Sequence, residues 1–154
     1  MLGAGVRAAM TFILIYWPFV LLACAYAAWG GGKDGRCAAA LVLTASILTV
    51  PATVLGGTWA STEVAVFTVD ASLLLGLYLF MLHSRRWWPI WMVGFHTNAV
   101  ASHLGSLFET GFWASLYFAA ESFWAIPVVL VMVAGVGLDR AAAARRADGG
   151  QDRR

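Results

Sequence analysis

Five long apolar segments alternate with short polar connectors along the chain. The segments cover residues 8–29, 38–58, 64–83, 88–107 and 113–138. Each is long enough to provide the ~20 residues that an α-helix needs to cross a hydrocarbon layer of ~30 Å. Connectors this short make consecutive helices pack as antiparallel neighbours. The pattern therefore predicts an all-α integral membrane protein, built as a single five-helix antiparallel transmembrane bundle.

The connectors contain residues that end and begin helices. Glycines interrupt the first connector, residues 30–36, and predict a loop there. The second connector, residues 59–63, contains Ser61 and Thr62, either of which could cap the third helix. Pro89 suits the first turn of the fourth helix, because no backbone N–H is needed at that position.

The composition excludes a soluble globular domain. Hydrophobic residues make up 61% of the chain and charged residues 12%, against roughly 25% charged residues in soluble domains. The mean hydropathy is +0.77. A chain with so few charges cannot cover a surface that faces water, so lipid is its expected solvent. The two cysteines, Cys24 and Cys37, are too few for a disulfide framework and lack metal-type spacing.

The placement of lysine and arginine predicts the orientation. Five crossings put the two termini on opposite faces of the membrane. One face then has Arg7 as its single lysine or arginine. The other contains nine basic residues: Lys33, Arg36, Arg85, Arg86, Arg140, Arg145, Arg146, Arg153 and Arg154. Because basic loops stay in the cytoplasm, we expect the N-terminus outside and the C-terminus in the cytoplasm of a bacterial-type inner membrane. Cleavage of the first segment as a signal peptide would place most of these basic residues outside, so we expect that segment to be retained as a helix.

The ends of the segments have two further features. Residues 139–154 are polar and basic without apolar periodicity, which predicts a short helical continuation that frays into a disordered cytoplasmic tail. Tryptophans cluster near the segment ends and predict interfacial belts, in which the indole keeps one edge in water. These are Trp29, Trp59, Trp87, Trp88 and Trp113.

Four ionisable residues lie inside the predicted spans: Asp70, His96, His103 and Glu121. At 1.5 Å per residue, Asp70, His103 and Glu121 fall at similar depths in the outer half of the membrane, with His96 deeper. His96 and His103 are seven residues apart and therefore share one helix face, about 20° from each other. Because a charge in hydrocarbon costs several kcal/mol unless it is paired, we expect the acids to meet the histidines.

Such a cluster has two interpretations. The pairs could do no more than fix the register of the helices. Alternatively they form an outward-facing polar site that responds to protons, relays protons or binds a small polar ligand. The Cα atoms of His96 and His103 are about 10.5 Å apart along the helix axis, which disfavours a shared metal ion and bis-histidine haem. No metal and no cofactor are therefore predicted.

The opposite face of the fourth segment contains Gly94, Asn98 and Ser102. Small residues at this spacing let helices approach closely in lipid. The alternative function is therefore an accessory or assembly subunit whose partner, besides the bilayer, is another membrane protein or a second copy of the chain. An intramembrane enzyme is a weaker alternative, because Ser106 beside Gly105 lacks the glycine-flanked elbow of hydrolases. No nucleic-acid signature is present.

Overall fold

The computed structural model of the protein is all-helical. It describes the backbone of residues 2–55, 59–108 and 112–151, and the side chains of residues 14–51, 64–105 and 123–148. Within these ranges lie five helices: α1 (Leu2–Gly30), α2 (Gly32–Leu55), α3 (Trp59–His83), α4 (Trp88–Phe108) and α5 (Phe112–Gln151). The prediction of five helices is confirmed.

Three of the helices contain stretches that are long and apolar enough to cross a membrane, judged over the described residues. They are Gly32–Pro51, Val64–His83 and Phe123–Asp148, with mean hydropathies of 1.2, 2.0 and 1.8. The described part of α1, Leu14–Gly30, is a shorter apolar helix. These helices associate the protein with a membrane, because their exposed apolar surface has a favourable solvent only in lipid.

The connection between α1 and α2 is much shorter than the sequence predicts. The predicted loop over residues 30–36 is wrong, since α2 already begins at Gly32 and only Gly31 separates the two helices. Gly32 has a φ of +61°, a left-handed conformation that glycine adopts without a steric penalty. The Gly31 N–H donates to the carbonyl of Ala27 at 2.8 Å, and the Gly35 N–H donates to that of Gly31 at 2.9 Å. Backbone hydrogen bonds therefore continue through the turn.

Other helix ends agree in part with the pattern. Residues 84–87 separate α3 from α4, and Pro89 lies in the first turn of α4, as predicted. The predicted cap at Ser61 or Thr62 is wrong, because α3 begins earlier, at Trp59. Helix α5 continues to Gln151, well past the short extension predicted from composition. The alanines at 141–144 favour helix strongly enough to continue it beyond the apolar stretch.

The core contains small and aliphatic side chains, and many of the large apolar side chains lie outside it. Helices α1 and α2 contribute mostly alanine and valine to the core, while α5 contributes Val128, Met132 and Val136. Leu22, Leu75 and similar side chains are more than half exposed on the outside of the bundle. Small residues at helix contacts and large apolar residues outside them are typical of helices that pack in lipid.

One tryptophan does not belong to an interfacial belt. Trp88 is 1% exposed, packs against Gly135 of α5, and donates its Nε1–H to Asp139 Oδ2 at 3.1 Å. The predicted belt position of Trp88 is therefore wrong, because α5 covers it. Trp29 and Trp87 are exposed, while the side chains of Trp59 and Trp113 lie outside the described residues.

The same end of the bundle contains an ion-pair network. Arg86 lies between two carboxylates, with its Nε 3.5 Å from Asp34 Oδ2 and its Nη1 3.4 Å from Asp139 Oδ2. Beside it, the Arg140 guanidinium lies 4.7 Å from the centroid of the Trp29 ring. This network joins α5 to α1, to the start of α2 and to the connector that precedes α4.

Candidate functional site

Helices α3 and α4 pack as antiparallel neighbours, and this packing sets the geometry of the site. At one end of the pair, the Phe80 and Trp88 ring centroids are 5.6 Å apart. Further along, Asp70 of α3 faces both histidines of α4. The seven-residue spacing of His96 and His103 keeps both on the face of α4 that meets α3. The structure thus brings together three of the four residues singled out in the sequence.

The closest contact of the site joins Asp70 to His103. His103 Nε2 lies 2.7 Å from Asp70 Oδ2, a distance typical of a charge-assisted hydrogen bond. The His103 side chain is 2% exposed and that of Asp70 is 22% exposed. The Phe67 ring packs edge-on against the imidazole, with the centroids 6.1 Å apart. His103 is therefore enclosed, whereas part of the Asp70 side chain remains accessible.

His96 contacts the backbone of the same aspartate. Its Nε2–H donates to the Asp70 carbonyl oxygen at 3.0 Å, and Nε2 lies 3.9 Å from Asp70 Oδ1. Because a carbonyl oxygen only accepts hydrogen bonds, the proton of a neutral His96 must be on Nε2. The contact holds the imidazole close to the carboxylate without a short hydrogen bond between the two side chains.

A phenol from α1 contributes to the surroundings of the site. Tyr16 lies within electrostatic range of Asp70, and its hydroxyl is 3.3 Å from Ser46 Oγ of α2. The sequence pattern did not single out Tyr16, because a tyrosine in an apolar segment resembles an ordinary core or interface residue. Its one distinguishing signal is a polar tip placed well inside a span. Tyr16 of α1 thus adds to the α4 histidines that surround Asp70.

No known protein family, curated protein or solved structure matches this chain. The chemistry of the site is therefore argued from its own atoms. Over the described residues, no group of three or more histidine, cysteine, aspartate or glutamate side chains is arranged to hold a metal ion. Within the site, His96 directs its Nε2–H to a backbone carbonyl, so the neutral ring offers no lone pair at that nitrogen.

The other residues singled out in the sequence are Glu121 and the predicted docking face of Gly94, Asn98 and Ser102, and these three do not share one exposed surface. The Glu121 side chain lies outside the described residues. Gly94 and Asn98 are exposed on α4, and the Asn98 amide donates to the Gly94 carbonyl at 3.1 Å. Ser102, by contrast, is 9% exposed. Eight residues correspond to about 80° of rotation beyond two full turns, so the stripe of small residues turns from the surface into the bundle.

Chemically, the arrangement can hold a proton in more than one place. The proton shared by Asp70 and His103 lies on Nε2 when the pair is ionised, and on Oδ2 when both groups are neutral. Both forms have the same total charge. Burial therefore penalises a change in the number of protons more strongly than a transfer of the proton within the pair.

Proposed function

We propose that the chain is a small multi-pass inner-membrane protein with an outward-facing intramembrane site that responds to protons or relays them. The observation that supports this most directly is the 2.7 Å contact between Asp70 Oδ2 and the enclosed Nε2 of His103. Ionisable groups inside membrane helices are rare, and they mark proton or ligand pathways more often than ordinary packing. Here an acid and a base of complementary chemistry meet directly.

His96 extends the pair into a cluster. Histidine changes charge near neutral pH, so a second imidazole beside the carboxylate provides a further place for a proton. The partly exposed Asp70 side chain provides a point of access for water or for a small polar ligand. On this proposal Glu121 of α5 belongs to the same site, as its predicted depth indicates. The chain is then a proton-handling or ligand-binding membrane protein rather than an enzyme.

The orientation is part of the proposal. All five helices are taken to cross the membrane, with the Arg86 network at the cytoplasmic end and Asp70 in the outer half. The support is the placement of nine of the ten lysines and arginines on one face. We predict that a reporter enzyme fused after residue 154 is active only in the cytoplasm, and that one fused before residue 1 is active only outside. The opposite pattern would reverse the orientation and contradict an outward-facing site.

Proton transfer can be measured directly in liposomes that contain a pH-sensitive dye, with a potassium diffusion potential as the driving force. We expect the full-length chain to accelerate proton entry, and Asp70→Asn to return entry to the rate of protein-free liposomes. Asparagine keeps the size of the side chain and can still hydrogen-bond to His103, but it cannot ionise. The matched control is Asp148→Asn, which removes an exposed acid of the tail and should leave the rate unchanged.

The same assay distinguishes the proton site from the alternative function, in which the chain is a subunit that docks a partner helix. Gly94 and Asn98 favour this alternative, because they form an exposed, close-approach surface on α4. Asn98→Leu should leave proton entry intact if the Asp70 site acts by itself. Absence of proton entry with the wild-type chain, together with loss of a co-purifying partner or of self-association in Asn98→Leu, would favour the docking subunit.

A further inference from the structure

An open cleft lies at the end of the bundle where the α1–α2 turn meets the α3–α4 connector. Its volume is about 570 Å³. The side chains and backbone that line it include Gly32, Lys33, Asp34, His83, Arg85 and Arg86. Three of these are permanent cations and one is an acid. The cleft is separate from the Asp70 site, which lies further along α3 and α4.

The charges of this cleft are not balanced. Arg86 pairs with Asp34 and Asp139, so the one acid of the lining already has a partner. Lys33 and Arg85 form no ion pair with any side chain in the described part of the chain. His83 Nδ1–H donates to the Leu79 carbonyl at 2.8 Å, so the other nitrogen of the neutral ring is an acceptor, and the donors for an anion are Lys33 and Arg85. The cleft therefore has the chemistry to bind an anion with several oxygen acceptors, such as a phosphate group.

An apolar groove runs along the outside of α2 and α3. It encloses about 520 Å³ and is lined mainly by apolar side chains, among them Ala40, Leu41, Leu48, Val69 and Leu73. Leu41 also packs against the α3 backbone, because its Cδ2 lies 2.9 Å from the position that a Cβ on Gly76 would occupy.

The groove and the cleft lie on the same helix faces. Lys33 of the cleft and Thr44 of the groove are eleven residues apart on α2, which brings them within about 20° of each other. The same eleven-residue spacing relates His83 of the cleft to Ser72 of the groove on α3. The groove therefore lies on the same side of the helix pair as the cleft, further from the α1–α2 turn.

We propose that this combined surface binds one anionic phospholipid, with its phosphate in the cleft and an acyl chain in the groove. The groove extends along α2 from Cys37 to Leu48, eleven residues or about 16 Å. That length matches one leaflet, half of the ~30 Å hydrocarbon layer. Charge complementarity at one end and acyl-chain length at the other thus select the same occupant. The proposal depends on the membrane association of α2 and α3 and not on the proton site.

Binding can be tested by native mass spectrometry of the full chain, delipidated in detergent and titrated with phosphatidylglycerol or phosphatidylcholine. We expect one phosphatidylglycerol to bind in preference to phosphatidylcholine. Lys33→Ala with Arg85→Ala should weaken that binding roughly tenfold or more, since each basic residue near an anionic headgroup contributes on the order of 1 kcal/mol. The control is Arg145→Ala with Arg146→Ala, which removes two exposed tail arginines and should have little effect. The charge-preserving pair Lys33→Arg and Arg85→Lys should retain most of the affinity.

A second variant tests the groove. Ala40→Phe fills it without touching the cleft and should also weaken phosphatidylglycerol binding, whereas Ala134→Phe, on the exposed surface of α5, should not. The proposal is overturned if the tail control weakens binding as much as the cleft variant, because the attraction is then only general charge. It is also overturned if Ala40→Phe binds like the wild type, or if soluble glycerol phosphate binds as tightly as the lipid.

Discussion

Gly35→Ala should prevent stable folding of the bundle or lower its stability by about 3 kcal/mol. A Cβ on Gly35 would overlap the carbonyl oxygen of Ala27 and lie 3.0 Å from its carbonyl carbon. Both are backbone atoms of α1, and that carbonyl also accepts the Gly31 N–H that closes the turn. The overlap can be relieved only by separating α1 from α2. Thermal unfolding in detergent and the yield of monodisperse protein measure the effect.

Gly94→Ala is the matched control for this prediction. A Cβ on Gly94 meets no atom within 4 Å, and Gly94 lies in the interior of α4. Alanine is the better helix former, so this variant should be neutral or more stable by up to ~1 kcal/mol. The contrast between the two glycines tests the close approach of α1 and α2, and equal stability of Gly35→Ala and the wild type would contradict it.

His103→Ala should lower the stability by about 2–3 kcal/mol, because it leaves a cavity beside Phe67 and removes the partner of the Asp70 carboxylate. The cost stays below that of a fully buried ion pair, since the Asp70 side chain is 22% exposed and water can solvate part of it. Proton entry into liposomes should also fall to the rate of protein-free liposomes. Both effects are measured on one purified sample.

His103→Gln separates the structural role of the imidazole from its proton chemistry. The glutamine amide can donate a hydrogen bond to Asp70, so we expect it to recover most of the stability lost in the alanine variant. It cannot accept and release a proton near neutral pH, so proton entry should stay low. If His103→Gln restores both stability and proton entry, the histidine serves only to fix the register of α3 and α4.

Local composition was sufficient to predict the number of helices and most of their apolar extent. A run of apolar residues with short polar connectors favours a membrane helix whatever lies beside it, since the backbone must satisfy its own hydrogen bonds in lipid. The relative placement of His96 and His103 was equally predictable, because two residues on one helix have a fixed angular separation. The structure of the first connector could not be predicted in this way. The close approach of Gly35 to Ala27 and the conformation of Gly32 depend on how α1 packs against α2.

What only the tertiary structure decided is the rotation of each helix about its own axis. Helices that are apolar all round have no amphipathic pattern to tell which side meets a neighbour. The sequence therefore placed Asp70 at the depth of His103 without determining that the two side chains meet at 2.7 Å. For the same reason it assigned Trp88 to the interface, although α5 covers it, and treated Gly94 and Ser102 as one surface, although the helix turns Ser102 inward. Such contacts follow from the packing of several helices together, and no single segment encodes them.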